Sequence, residues 1–152
     1  MIEDKIKKLG FELPEPTKPM AAYLPSVQSG NLVFTAGQIP VVKGELKYKG
    51  KVGFILTLEE AQKAAQICVL NCLGVVKSIT GSLENIEQIV KLTVFVNSAD
   101  NFTSQHLVAN GASELLGEIF GETGKHARSA IGVNELPGDS AVEIEMVCRV
   151  KD

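Results

Sequence analysis

The sequence lacks most of what would send a chain to a membrane, a nucleic acid or an oxidising compartment. No uninterrupted apolar run approaches the roughly 18 residues needed to span a bilayer. The opening stretch MIEDKIKKLGFELPEP carries acidic residues and no apolar core segment, so it does not read as a secretion signal. Positive charge is not in excess: the formal net charge is −3 and the pI near 5.5. That speaks against non-specific nucleic-acid binding, in which phosphate neutralisation supplies most of the affinity. Cysteine is scarce and odd in number, at three, which suits a reducing compartment better than a disulfide framework. Together these absences lead us to expect a cytoplasmic protein with no membrane attachment.

What is present suits a compact fold. Of 152 residues, 45% are hydrophobic and 22% charged, enough to bury a core within one domain spanning residues 1–152. Residues 3–9 read as a short helix. Pro14, Pro16 and Pro19 then forbid regular structure and imply an extended lead-in. NLVFTAGQIP (31–40) reads as a strand, and VVKGELKYKGKVG as a hairpin or wide loop. From Thr57 the period changes. Thr57 and Glu60 form a capping-box pattern, and Leu58, Ala61, Ala65, Cys68, Cys72, Val75 and Ile79 mark one face of a helix closed by Gly81. IVKLTVFVNS (89–98) is a strand with Leu92, Val94 and Val96 on one face. A second long helix is expected from about Asp100–Thr103 to Phe120. Two final strands, joined through a Pro-Gly turn, complete a β-β-α-β-α-β-β order with two helices packed on one face of a mixed sheet, an α+β fold.

Few residues offer chemistry. Cys68 and Cys72 sit at i and i+4, but a zinc site needs about four ligands. Only His106 and His126 could add imidazoles, neither at the spacing of a known site, and both read as exposed. The cysteines therefore read as core, as does Cys148, and no metal is expected. Gly30 and Gly37 flank a strand without the GxGxxG pattern, so they mark a turn and a close backbone approach rather than a nucleotide loop. The last two strands are different. In HARSAIGV the two-residue period puts His126, Arg128 and Ala130 on one face. In AVEIEMVCRV the apolar Val142, Ile144 and Met146 turn Glu143 and Glu145 the other way. If helices cover one side of the sheet, Arg128 and Glu143 fall together on the other. They are then either a solvated cross-strand ion pair, worth little, or a fork-shaped cation beside the concavity left by Ala130 and Gly132, suited to a carboxylate.

GNLVFTAGQIP, IVKLTVFVNSADNF, HARSAIGV and ELPGDSAVEIEMV resemble, in order, the signatures of the RidA/YjgF family, over about Tyr23 to Val150. The resemblance implies a chorismate-mutase-like fold assembled as a homotrimer, with sites in clefts between subunits. It implies hydrolysis of 2-imino or enamine acids to 2-keto acids and ammonia, without cofactor. By position, Arg128 matches the arginine that grips the substrate carboxylate, and Glu143 the glutamate that orients the attacking water or handles its proton. Tyr23 matches a tyrosine lining the cleft from a neighbouring subunit, Gly37 a backbone contact in the strand, and Asn110 a helix asparagine lining the pocket. Two pocket positions depart from the usual pattern. Ala36 stands where the family often has Ser, and Ala130 where it often has Cys, so the expected pocket loses polar groups. Two rivals to the deaminase follow: a binder of small carboxylate metabolites that does no chemistry, and the endoribonuclease or translation inhibitor of older family labels. Against the last, the sequence offers no paired acid and base for RNA cleavage and no basic-aromatic platform.

Overall fold

The computed structural model describes residues 1–16 and 22–152; Pro19 lies outside them. Helix α1 (Ile2–Lys8) is the short helix expected, and it leads into an irregular segment containing Pro14 and Pro16. Strands β1 (Ser26–Ser29) and β2 (Leu32–Thr35) form a hairpin that turns at Gly30, whose φ of +60° lies where glycine is favoured. The sequence reading missed β1. Three of the four residues in SVQS are exposed, so no alternation marks them. Val41–Val42 (β3) and Glu45–Leu46 (β4) make the small hairpin foreseen there.

Helix α2 (Leu58–Thr80) begins on the capping box anticipated from sequence. Thr57 Oγ1 accepts from the Glu60 amide at 3.2 Å, and Glu60 Oε2 accepts from the Thr57 amide at 2.8 Å. A cap of this kind contributes about 1 kcal/mol. Gly81 ends the helix at φ +80°, a left-handed position that side chains resist. Ala61, Ala65, Cys68 and Cys72 are fully buried, and burial pushes the Cys72 and Cys148 thiols up to about 12. These cysteines behave as small apolar residues. Ile79 departs from the expected stripe and is 40% exposed; the chain reverses at Gly81 and buries Leu83 there instead.

Strand β5 (Ile86–Asn97), helix α3 (Gln105–Phe120), strand β6 (Ala127–Val133) and strand β7 (Val142–Val150) complete the chain. The main sheet runs β1-β2-β7-β5-β6. All neighbours are antiparallel except β5 and β6, whose parallel pairing requires the crossover that α3 supplies. The fold is α+β with a mixed sheet and three helices, the short α1 and the two long helices α2 and α3. Val33, Leu92, Val94, Val96, Val142, Ile144 and Met146 turn one face of the sheet towards α2 and α3 and are essentially inaccessible.

Two expectations about the last strands fail here. β6 and β7 are not a hairpin, because β5 lies between them. The connection carrying Pro137 and Gly138 crosses the end of β5, where buried Asn97 donates to the Ser140 carbonyl and to Asp139 Oδ1, both at 3.2 Å. Arg128 does not share the open face with Glu143. It pairs with Leu92, while Glu143 pairs with Phe95, and paired residues point to the same side of a sheet. Arg128, Ala130 and Gly132 therefore follow Leu92, Val94 and Val96 onto the helix side. No cross-strand ion pair joins Arg128 to Glu143.

Candidate functional site

Arg128 stands on the edge strand β6 and reaches along α3. Its NH1 donates to Asn110 Oδ1 at 2.9 Å and to Ser113 Oγ at 3.1 Å, and its NH2 donates to the His106 carbonyl at 3.2 Å. All three acceptors are neutral, and among the described residues the guanidinium has no carboxylate partner. NH1 thus makes two bonds, NH2 one and Nε none. The Nε–NH2 edge of the fork is the one with donors to spare for a carboxylate. Asn110 and Ser113 reach the arginine together because residues three apart share a helix face.

Beside Arg128 lies an open pocket of about 300 Å³ lined by Ser113, Gly117, Gly124, Lys125, His126 and Arg128. Ser113 Oγ is 2.9 Å from His126 Nε2, and His126 Nδ1 is 2.6 Å from the Gly124 carbonyl. His126 is thus half-buried and bonded at both ring nitrogens, against the expectation of a simply exposed histidine; His106 is exposed as expected. Burial, reinforced by the Arg128 charge, holds the His126 pKa below its ordinary 6.5, although the bond to Gly124 opposes the shift. The imidazole is therefore neutral at pH 7. Sequence reading missed Ser113 as a site residue. The signal was there in part: His126 lies on the Arg128 face by the two-residue period, and Ser113 follows Asn110 by one helical step.

Glu143 occupies a different place. It is half-buried on the open face of the sheet and has no hydrogen-bond partner among the described residues. Burial, then the Glu145 charge, raises its pKa above the ordinary 4.5. Gly37 makes room for it: a Cβ built there would stand 2.0 Å from Glu143 Oε1. Gln38 anchors this approach through reciprocal backbone bonds with Ile144 at 2.8 and 2.9 Å. Ala36, next to Gly37, is half-buried, and its amide donates to the Pro25 carbonyl at 2.8 Å. Around Glu143 the open face is partly apolar, with Val27, Phe34 and Ile131 between 41% and 52% exposed.

The seven residues singled out from sequence thus fall into three groups. Arg128, Asn110 and Ala130 lie on the helix side. Glu143, Gly37 and Ala36 lie together near the middle of the sheet. Tyr23, 56% exposed, precedes edge strand β1, with β2, β7 and β5 between that strand and β6. One chain does not bring the three groups together. Among the described residues no three His, Cys, Asp or Glu side chains cluster as metal ligands, and no helix is long and apolar enough to cross a membrane.

A small α+β chain with an unpaired arginine over its edge strand has known relatives. Residues 3–149 match the family described as "YjgF/chorismate_mutase-like, putative endoribonuclease", and the chain belongs to that family. Protein TCP17 of Trypanosoma cruzi is 38% identical over 97% of this chain and 92% of its own. The crystal structure of Atu1372 from Agrobacterium tumefaciens, a protein of unknown function, matches with a TM-score of 0.93 at 41% identity, covering 99% of this chain and 93% of that one. Escherichia coli TdcF, named "Putative reactive intermediate deaminase TdcF", is 28% identical over 82% of this chain and 84% of its own. Its structure with bound serine matches at a TM-score of 0.65 and 26% identity, over 91% of this chain and 94% of that one.

Proposed function

We propose that this protein hydrolyses 2-imino or enamine acids to 2-keto acids and ammonia, at clefts between the chains of a homotrimer and without a cofactor. One observation carries the reading. Arg128 is held in place by three neutral acceptors yet keeps an unpaired charge and an open bidentate edge. A cation arranged in this way is a receptor for a carboxylate. The deaminase name of TdcF, and the amino acid bound in its structure, agree with a small carboxylate ligand.

Arg128 grips the carboxylate, with Asn110 and Ala130 beside it. Glu143 acts from the opposite face of the sheet, so it serves a ligand on Arg128 only if it comes from another chain. The partly apolar open face is suited to such a contact, and Tyr23 at the far edge joins the cleft in the same way. Glu143 orients the attacking water and accepts its proton, which its raised pKa favours. A protonated imine is already electrophilic, so positioning and proton transfer suffice.

The test is ammonia release from enzymatically generated imino acids, followed by mixing of protomers. Arg128→Lys and Glu143→Gln chains, each strongly impaired alone, should regain about a quarter of the unsubstituted activity when mixed equally, because a head-to-tail ring then pairs intact residues in that share of its clefts. No recovery would show that the two residues do not share a site between chains. Ala36 and Ala130 favour a second reading, a carboxylate binder without turnover. Binding of 2-keto acids with no ammonia release would establish it, and RNA cleavage by highly purified protein would revive the older label.

A further inference from the structure

We propose that Ser113 and His126 form a proton relay on the Arg128 side of the sheet, which removes the hydroxyl proton when the carbinolamine intermediate collapses. The inference rests on Arg128 holding the substrate, and it assigns to this chain's own residues the second half of the reaction. Glu143 of a neighbouring chain serves the first.

Hydrogen-bond chemistry fixes the direction of the network. A carbonyl oxygen has no hydrogen to give, so at 2.6 Å His126 Nδ1–H must donate to Gly124. The neutral ring then has its lone pair on Nε2, where it accepts the Ser113 hydroxyl at 2.9 Å. The serine oxygen in turn accepts from Arg128 NH1 at 3.1 Å. The result is a one-way chain from Arg128 through Ser113 to His126, with Gly124 holding the tautomer, as an acceptor behind a catalytic histidine does. Ser113, His126 and Arg128 line the same pocket, so a ligand held by Arg128 shares that pocket with the serine oxygen. The charged groups around the imidazole are Arg128 and Lys125. Lys125 is paired with Glu122 at 2.7 Å, and α3 presents only neutral Ser113 and Gly117 to the pocket. No carboxylate holds the histidine in its charged form.

The protons balance. Water adds to the protonated imine carbon and loses a proton to Glu143, which passes it to nitrogen. The intermediate then carries one hydroxyl and one ammonium group. As the C–N bond breaks and C=O forms, the hydroxyl proton moves to Ser113 Oγ while the serine's own proton moves to His126 Nε2. The imidazolium returns it through Ser113 to the departing ammonia. The products are the 2-keto acid and ammonium, and nothing is oxidised or reduced.

The experiment compares Ser113→Ala and His126→Gln with the unsubstituted chain, measuring kcat, KM and their pH dependence for imino-acid hydrolysis, with 2-keto acid binding alongside. Both variants should lose about 10²-fold in kcat, the usual contribution of a positioned acid–base group. KM and keto-acid affinity should change far less, because Asn110 and the His106 carbonyl still hold Arg128. The unsubstituted chain should show a kcat that rises with pH through a group titrating below 6.5. That limb should persist in the residual activity of Glu143→Gln and vanish in His126→Gln. Unchanged kcat and an unchanged acid limb in both variants would overturn the relay and leave the Arg128 reading standing. A raised KM with unchanged kcat would also overturn it, since that is the mark of a structural support for Arg128. Absence of hydrolysis by the unsubstituted chain would overturn the relay and the deaminase reading together, with keto-acid binding alone deciding whether the clamp survives.

Discussion

The two faces of the sheet hold their unpaired charges by opposite means. Arg128 is fixed by hydrogen bonds to α3, so its geometry is complete before any ligand arrives. Glu143 has no donor among the described residues and is accommodated through the missing Cβ of Gly37, with its pKa raised. Preorganised donors lose little on binding, whereas a partly desolvated carboxylate gains from any donor that reaches it. Carboxylate affinity should therefore rest on the fork of Arg128, and turnover on Glu143.

The comparison breaks most completely if the open face is blocked. Phe34→Asp alters an exposed residue, so folding should survive, since surface changes fall within about 0.5 kcal/mol. If the face is an interface, the buried charge should dissociate the assembly and abolish turnover, seen by light scattering and ammonia release on the same sample. A stable monomer from the unsubstituted chain would end the shared-cleft reading. Next in size is Arg128→Lys. Lysine keeps the charge but loses the fork, so 2-keto acid affinity should fall roughly 10- to 100-fold. Because Arg128 also ties β6 to α3, stability should drop by about 1–2 kcal/mol, readable in denaturant unfolding. A solvated arginine would show neither effect.

Glu143→Gln sharpens the contrast from the other side. Ligand affinity should hold while turnover falls about 10²-fold, because an amide cannot accept the water's proton. Unchanged turnover would remove Glu143 from the chemistry. The smallest effect is on the pH dependence of stability. A carboxyl with a raised pKa holds more protons folded than unfolded. Its contribution is present below the ordinary value of 4.5 and is lost as pH rises through the raised one. In the dissociated Phe34→Asp background, adding Glu143→Gln should thus flatten the melting curve across that window. The shift should be at most about 2 °C, since solvent screens a half-exposed group. A steeper dependence would contradict the burial assigned to Glu143.

Much was legible before any coordinates. The capping box at Thr57 and Glu60 and the stop at Gly81 set α2, because caps are local chemistry between neighbours in sequence. The alternation from Val142 to Val150 set which side of β7 is core, because the two-residue period is a property of the strand itself. The family motifs named both Arg128 and Asn110, and the fold joins the two by a hydrogen bond of 2.9 Å. The two-residue period also grouped His126 with Arg128 correctly, yet it could not say which face of the sheet that group would meet. Only tertiary structure decided this. The α3 crossover makes β6 parallel to β5, Leu92 becomes the partner of Arg128, and the arginine is carried to the helix side while Glu143 stays on the other. Strand order is a choice among distant segments, settled by which packing buries the most apolar surface, and no local pattern of residues records it.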